Sequence, residues 1–556
     1  MSTSPATERA LPVYLDYAAT TPVDPAVAKA MLECLEGDRF GNPSSVTHVY
    51  GRRAAARVEA ARAQVARLIG AEPDEIIFTS GATEASNLAI FGVARANADR
   101  GRHIVTTRIE HKAVLDPCRR LEKEGFQVTW LTPDRDGRLD PEALLAALRP
   151  DTILVSIMHV NNEIGVVNDI AALAAICAER GIPFHTDAAQ SAGRLPLDVR
   201  ALSVDFLSFT AHKLYGPQGI GALYIRRGRR ALLQPILFGG GQERGLRPGT
   251  LPVHQIVGFG AACELAERLL ESEQERLQAL CDRLWSGLRA LPGVYLNGAA
   301  SRRVPGILNV SFEGVEGESL VTGLTELALS TGAACDSASG EPSYVLRALG
   351  RSPQLAQSAL RFGLGRFTTA EHIDLAISAV QREVTRLRAV SPASGETPPP
   401  AAPERARVRP EPDVLSAQVR RLFEELPGAG TLPPGPGVVR GEAGGPTAEA
   451  WVRFHLQLDG DVVRQARFQA YGCPHTLAVA SWLTGRLPGR SLCELVPDAP
   501  AVWAETLEVP VEKLGRLLII EDALRACLPG SEAGKYTGNQ GNLRPLRHSN
   551  AQGRVE

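Results

Sequence analysis

Ser208-Phe-Thr-Ala-His-Lys-Leu-Tyr-Gly216 continues an apolar run, Val204-Asp-Phe-Leu-Ser-Phe209, and sets Lys213 directly after a histidine. A strand that ends this way delivers an amine to the rim of a sheet, where partial shielding favours a neutral, nucleophilic lysine. Most lysines are solvated surface residues, so the reading depends on what stands upstream. Asp187 ends a second apolar stretch in Phe184-His-Thr-Asp-Ala-Ala-Gln190. His111 falls at a strand-to-helix turn, and Ser80-Gly-Ala-Thr83 opens a helix.

The same alternation runs from Tyr14 to about Val390. Strands are expected at 75–80, 103–107, 152–158 and 183–186, and helices at 83–96, 113–123 and 171–180. Apolar strands separated by helices imply a mostly parallel sheet covered on both faces, an α/β fold. A chain of 556 residues exceeds one ordinary core, so more than one domain is expected.

An amine, an anion, a phosphate cradle and a flat neighbour are what pyridoxal phosphate asks of a protein. Lys213 is the candidate amine. Asp187 would be costly at the end of a buried strand unless a cation such as a protonated pyridine nitrogen paired it; a helix N-cap is the competing reading. The turn at Ala82 and Thr83 offers N–H groups and a hydroxyl at a helix start. Thr210 and His212 flank the lysine closely enough to reach the same phosphate. His111 suits a place over the ring, and a core histidine is its equal alternative.

Tyr14-Leu-Asp-Tyr-Ala-Ala-Thr-Thr-Pro, Phe78-Thr-Ser-Gly-Ala-Thr-Glu, Glu110-His-Lys-Ala-Val-Leu, His159-Val-Asn-Asn-Glu-Ile-Gly and Gly249-Thr-Leu-Pro-Val-His-Gln resemble the IscS/NifS-type cysteine desulfurases. The similarity runs from Tyr14 to Arg386. It implies the fold-type-I architecture of pyridoxal-phosphate enzymes, with a large, mostly parallel sheet domain and a small α+β domain. It also implies a homodimer in which Thr250 reaches the neighbouring subunit's cofactor. Asn162 and Gln190 are implied to touch cofactor or substrate, and Arg361 to clamp the substrate carboxylate. Thr210-Ala211 departs from the family's usual Ser-Gly, and the extra methyl puts close packing there in question.

Eight of the eleven residues in Ser330-Thr-Gly-Ala-Ala-Cys-Asp-Ser-Ala-Ser-Gly340 are Gly, Ala or Ser, so Cys335 is not expected to be a packed core residue. The stretch resembles the family's catalytic cysteine loop. By that resemblance Cys335 takes sulfur from L-cysteine as a persulfide and leaves alanine, Lys213 moves the Cα proton with His111 assisting, and the sulfur then passes to an acceptor. Iron–sulfur cluster assembly and tRNA thiolation are the implied destinations. A related lyase acting on selenocysteine or cysteine sulfinate is the alternative enzyme, and a non-catalytic adaptor the alternative class.

Residues 391–412 hold seven prolines in 22 positions and read as a tether reaching on the order of 70 Å at ~3.1 Å per residue. Beyond it, residues 413–530 are expected to form a small α+β domain. Its parts are a helix at 414–426, a Gly/Pro-rich loop at 427–446, a hairpin turning at Asp459-Gly460, and helices at 476–484 and 517–528. Residues 531–556 read as disordered. Val462-Val-Arg-Gln-Ala-Arg-Phe-Gln-Ala-Tyr-Gly-Cys473-Pro-His-Thr resembles IscU-type iron–sulfur scaffolds. That family holds its cluster with three cysteines, an aspartate and a histidine. Aligned outward from Cys473, the other positions fall near Thr447-Ala-Glu449 and Gly515-Arg516, so one ligand cysteine remains and no metal site is expected. Cys473 is either a sulfur acceptor, helped by an effective concentration of about millimolar across the tether, or part of a docked regulatory mimic or a passenger domain.

Bulk properties exclude several classes. Lysine plus arginine number 60 and aspartate plus glutamate 62, a net charge of −2, so no basic excess points to nucleic acid. No apolar run approaches the ~20 residues of a membrane span. Nine scattered cysteines without framework spacing point to reduced thiols and a cytoplasmic setting.

Overall fold

A computed structural model describes residues 11–331, 342–391, 415–445 and 448–528. The chain divides into two compact units, one built mainly on residues up to Arg386 and one mainly on those from Asp413 onward. The expected tether, apart from Ser391, and the expected disordered tail lie outside the described residues.

The first unit is organised by a seven-stranded sheet. Its order is Ile76–Thr79, Gly221–Ile225, Phe206–Thr210, Phe184–Asp187, Thr152–Ser156, His103–Thr107 and Gln127–Leu131. The last five are mutually parallel, while Gly221–Ile225 runs antiparallel to both neighbours. Six of the strands are buried along their whole length, as β-branched and aromatic runs covered on both faces must be. Helices Ala82–Ala96, Lys112–Lys123 and Ile170–Ala178 are the crossovers. Parallel order places the C-terminal ends of Phe184–Asp187 and Phe206–Thr210 side by side, with Asp187 paired to Ser208. Ligands bind at this edge of open α/β sheets. A smaller antiparallel sheet, Ala359–Gly363, Ile307–Phe312 and Val294–Leu296, carries Arg361.

The second unit is a three-stranded antiparallel sheet, Val438–Gly445, Ala450–Asp459 and Val462–Tyr471, with helices Ala417–Glu425, Pro474–Thr484, Pro500–Leu507 and Leu514–Arg525. Two elements depart from the sequence reading. The stretch 427–446 is not all loop, because Val438–Gly445 is a full strand. Gly441 has a packing reason: a Cβ there would lie 2.4 Å from the Ala523 carbonyl oxygen, where the C-terminal helix crosses the strand. Helix Pro500–Leu507 was also unforeseen; it buries Trp503 and Leu507.

Candidate active site

Lys213 lies in a short 3-10 turn, Ala211–Lys213, that ends the Phe206–Thr210 strand. Its Nζ donates to the carbonyls of Ala18 (2.5 Å) and Ala19 (2.7 Å). The 17–24 segment is pinned over this turn by further bonds. Thr21 N–H donates to the His212 carbonyl at 2.9 Å, Tyr215 N–H to Thr21 Oγ1 at 2.8 Å, and Asp24 N–H to the Tyr215 carbonyl at 3.0 Å. The expected crowding at Ala211 is relieved by Gly216, where a Cβ would come within 2.8 Å of the Ala211 methyl. Glycine at 216 is what gives the methyl its room.

A cavity of about 490 Å³ opens beside the lysine. Lys213, Asp187, His111, Ala82, Thr83, Asn162, Gln190, Thr210, His212 and Arg361 all line it, together with Glu163 and Tyr344. Thr250 does not; it is exposed on the 239–250 segment. Cys335 falls in 332–341, outside the described residues, but both flanks of that segment are tied to the cavity. Arg361 N–H donates to the Ser330 carbonyl at 2.8 Å, and Ser343 Oγ to Glu163 Oε2 at 2.5 Å. Tyr344 donates its hydroxyl to the Glu110 carbonyl at 2.7 Å.

Electrostatics sort the ionisable groups. Burial pushes the Asp187 carboxyl up, against the lowering pull of His111 and Lys213. Its Oδ1 accepts from Ala189 N–H at 2.9 Å, so it satisfies the local turn as well as facing the cavity. Burial lowers His111, opposed by Asp187. His111 caps helix Lys112–Lys123, with Nδ1 accepting from Ala113 N–H at 3.1 Å. That contact places the neutral ring's proton on Nε2. His212 is pushed down to about 4 by burial and by Lys213, and sits 3.1 Å from Thr20 Oγ1.

Three features are finer than the sequence reading. Ser80 N–H is taken by Glu84 Oε2 at 2.7 Å, while Gly81, Ala82 and Thr83 line the cavity at the helix start, where N–H groups lack intrahelical partners. The Thr210 hydroxyl donates to the Ile220 carbonyl at 3.1 Å. Arg361 has a resident partner: Nη2 bonds Asp16 Oδ1 at 2.8 Å and Nη1 donates to the Asn162 carbonyl at 3.0 Å. A substrate carboxylate would therefore share the guanidinium with Asp16. Nothing in the Asp16 motif pointed to this.

The residues fit pyridoxal phosphate. Asn162 Oδ1, Gln190 Oε1 and Arg361 Nε are buried polar atoms without a protein partner, all on residues of the cavity wall. Such atoms call for a polar ligand. Asp187 is a desolvated carboxyl that a ring-nitrogen proton would offset.

In the second unit Cys473 is fully buried at the start of helix Pro474–Thr484, with Sγ 3.5 Å from Thr476 Oγ1. Cys493, in contrast, is exposed. Among the described residues no helix is long and apolar enough to cross a membrane, and no group of three or more His, Cys, Asp or Glu is placed to hold a metal.

Comparison with known proteins agrees with this geometry. Residues 418–529 match the NifU-like N terminal domain. A cysteine desulfurase IscS of Pectobacterium atrosepticum is 59% identical over 383 residues, 69% of this chain and 95% of that protein. The cysteine desulfurase IscS of an Escherichia coli O139:H28 strain is 57% identical over the same length. Among solved structures, a NifS-like protein aligns with a TM-score of 0.63 at 36% identity, covering 68% of this chain and all of that one. A structure titled SspA in complex with cysteine aligns at 0.58 and 39%, covering 64% of this chain and all of that one. With residues 13–375 matching Aminotransferase class-V, the chain belongs to the class-V aminotransferase family.

Proposed function

We propose that the chain is a pyridoxal-phosphate-dependent cysteine desulfurase that converts L-cysteine to L-alanine and collects the sulfur on Cys335 for iron–sulfur cluster assembly. The observation that carries this is the convergence of Lys213, Asp187, His111, Asn162 and Arg361 on one cavity, joined to the similarity with proteins named cysteine desulfurase IscS. Bound at this site, pyridoxal phosphate supplies an electron sink for charge developing at the substrate Cα.

The chain's own residues supply the rest. Ala82 and Thr83 N–H groups, with His212, would hold the phosphate, joined by the Thr210 hydroxyl once it turned from the Ile220 carbonyl, and Asp187 would pair the ring nitrogen. Arg361 orients the substrate carboxylate alongside Asp16. Lys213 accepts the Cα proton, and His111, on the cavity wall, holds or returns a proton. The Cys335 thiolate attacks the substrate sulfur: the C–S bond breaks as the S–S bond forms, and Cβ takes a proton to become the alanine methyl. The cysteine's flanking anchors, Ser330 on Arg361 and Ser343 on Glu163, support delivery of the thiol to this cavity. Exposure of Thr250 supports its service to a second subunit's cofactor in a homodimer. The scattered cysteines support a cytoplasmic setting.

Turnover of L-cysteine by the cofactor-loaded chain, read as alanine, sulfide and the mass of the Cys335 peptide, tests the proposal. Cys335→Ala should keep the cofactor absorbance and lose the persulfide, while Lys213→Ala should lose the absorbance. A folded, cofactor-bearing chain that forms no alanine would refute the assignment. Full sulfide release by Cys335→Ala without added thiol would refute the role of that cysteine.

A further inference from the structure

The scaffold-like unit diverges from a cation site in a specific way. Glu449 and Cys473 each lie two residues past the last register pair of their strands, Trp451 with Tyr471, so they share one end of the hairpin. Helix Leu514–Arg525 packs on the same sheet and begins there. At that end Arg516 Nη2 bonds Glu449 Oε2 at 2.9 Å, with the arginine side chain 13% exposed and the glutamate 45%. These positions, with Gly515, are where the resemblance to cluster scaffolds would set ligands. Two of them instead form an ion pair within the chain.

Arg516 is poorly placed on local grounds, since a cation in the first turn opposes the helix dipole. A carboxylate partner offsets that, and Glu449 supplies it while adopting a left-handed backbone (φ 52°). An incoming metal ion would meet the Arg516 guanidinium already held on Glu449. Cys473 is sealed from solvent. Gly515 has no packing reason to be glycine: a Cβ there would meet nothing within 4 Å.

We infer that the Arg516 guanidinium occupies the place of a metal cation in this unit, so that the unit folds around an internal ion pair and carries neither iron nor zinc. The hairpin end and the helix start that a metal would cross-link are joined by the Glu449–Arg516 pair instead. The consequence for the whole chain is that clusters built with its sulfur are assembled on another protein.

Metal content of the full-length holoenzyme tests this without relying on turnover. The protein is incubated with zinc sulfate, or anaerobically with ferrous sulfate, then desalted and measured by elemental analysis. The wild type should retain less than about a tenth of an equivalent. Gly515→His combined with Arg516→Cys leaves Cys473 and Glu449 beside two new donors, a four-ligand set of the kind zinc takes. That variant should hold about one zinc per chain and lose it when Cys473→Ser is added. The inference is overturned if the wild type holds one zinc or iron per chain that Cys473→Ser removes. It is equally overturned if the double variant, shown folded by circular dichroism, takes up no zinc. The wild-type arm decides alone should the variant fail to fold.

Discussion

Removing Glu243 should unfasten the edge of the large sheet. Ile76–Thr79 is an edge strand, and an edge leaves unpaired backbone groups that a protein must cover. Glu243 and Arg62 do so together. Glu243 Oε2 accepts from Phe78 N–H at 2.7 Å, and Arg62 Nη1 donates to the Ile76 carbonyl at 3.0 Å. The two side chains form a bidentate pair at 2.8 and 2.7 Å, with only 4% and 2% exposed, and the guanidinium lies 4.5 Å from the Phe78 ring centroid. Glu243→Ala leaves the buried guanidinium only the largely exposed Glu59 carboxylate at 3.2 Å as counter-charge, a loss of up to about 3–5 kcal/mol, and leaves Phe78 N–H unmet at about 1–3 kcal/mol. The two overlap within one network, so about 4 kcal/mol or more is expected in total. Urea denaturation of the holoenzyme followed by tryptophan fluorescence measures it. Replacing both partners, Arg62→Met with Glu243→Leu, should recover much of the loss because no charge is left stranded. A Glu243→Ala loss below about 1 kcal/mol, or a double variant as weak as the single, would refute the reasoning.

Further outcomes follow from particular contacts. Glu110 is buried and pushed up to about 8, chiefly by burial. It keeps its proton in the folded chain while the unfolded chain loses it near the ordinary carboxylate range. Its contribution therefore favours folding at low pH and falls as pH rises from about 4.5 to about 8. Glu110→Gln keeps an acceptor for Met158 N–H and should flatten that fall, making the variant more stable than wild type at pH 8 but not at pH 5, as denaturation at the two values would show. Arg361→Lys loses the planar fork and should raise KM for L-cysteine by roughly tenfold or more in steady-state assays. Iodoacetamide followed by peptide mapping should label exposed Cys493 in the native chain and buried Cys473 only after denaturation. Gly441→Ala, with its Cβ 2.4 Å from a backbone oxygen, should lower stability by about 1–3 kcal/mol in thermal or urea unfolding of the second unit.

Much of the site was legible because its parts sit where sequence signals are strong. Lys213, Asp187 and His111 each follow a buried strand, and parallel order carries strand ends to one edge of the sheet. Partners supplied from far along the chain carried no such signal. Asp16 reaches Arg361 across 345 positions, and Glu243 reaches Phe78 across 165. Glu84, in the first turn of its helix, holds Ser80 N–H and Arg247, a role its place in the motif does not reveal. The strand Val438–Gly445 was hidden by its own glycines, which in isolation read as loop; the helix packed on Gly441 and the positive φ of Gly444 explain two of them. Local pattern thus revealed which groups do the chemistry, and distant contacts decide how each is held.

The cavity's charges are also balanced for a guest. Asp187, His111 and Lys213 line one cavity, and burial works against the ionised form of both the carboxyl and the imidazole. Left to themselves, such groups stay charged only by leaning on one another, and Lys213 leans on the Ala18 and Ala19 carbonyls as well. A ligand that brings a proton opposite Asp187 and a phosphate to the helix start at Ala82 answers both demands at once. Binding energy from those two ends is then available to settle the lysine in its working position, which couples retention of the cofactor to stability of the folded chain. The second unit solves a comparable problem in the opposite way. Where a scaffold would leave anions waiting for a metal, it supplies its own cation in Arg516, and its charge is balanced before any ligand arrives.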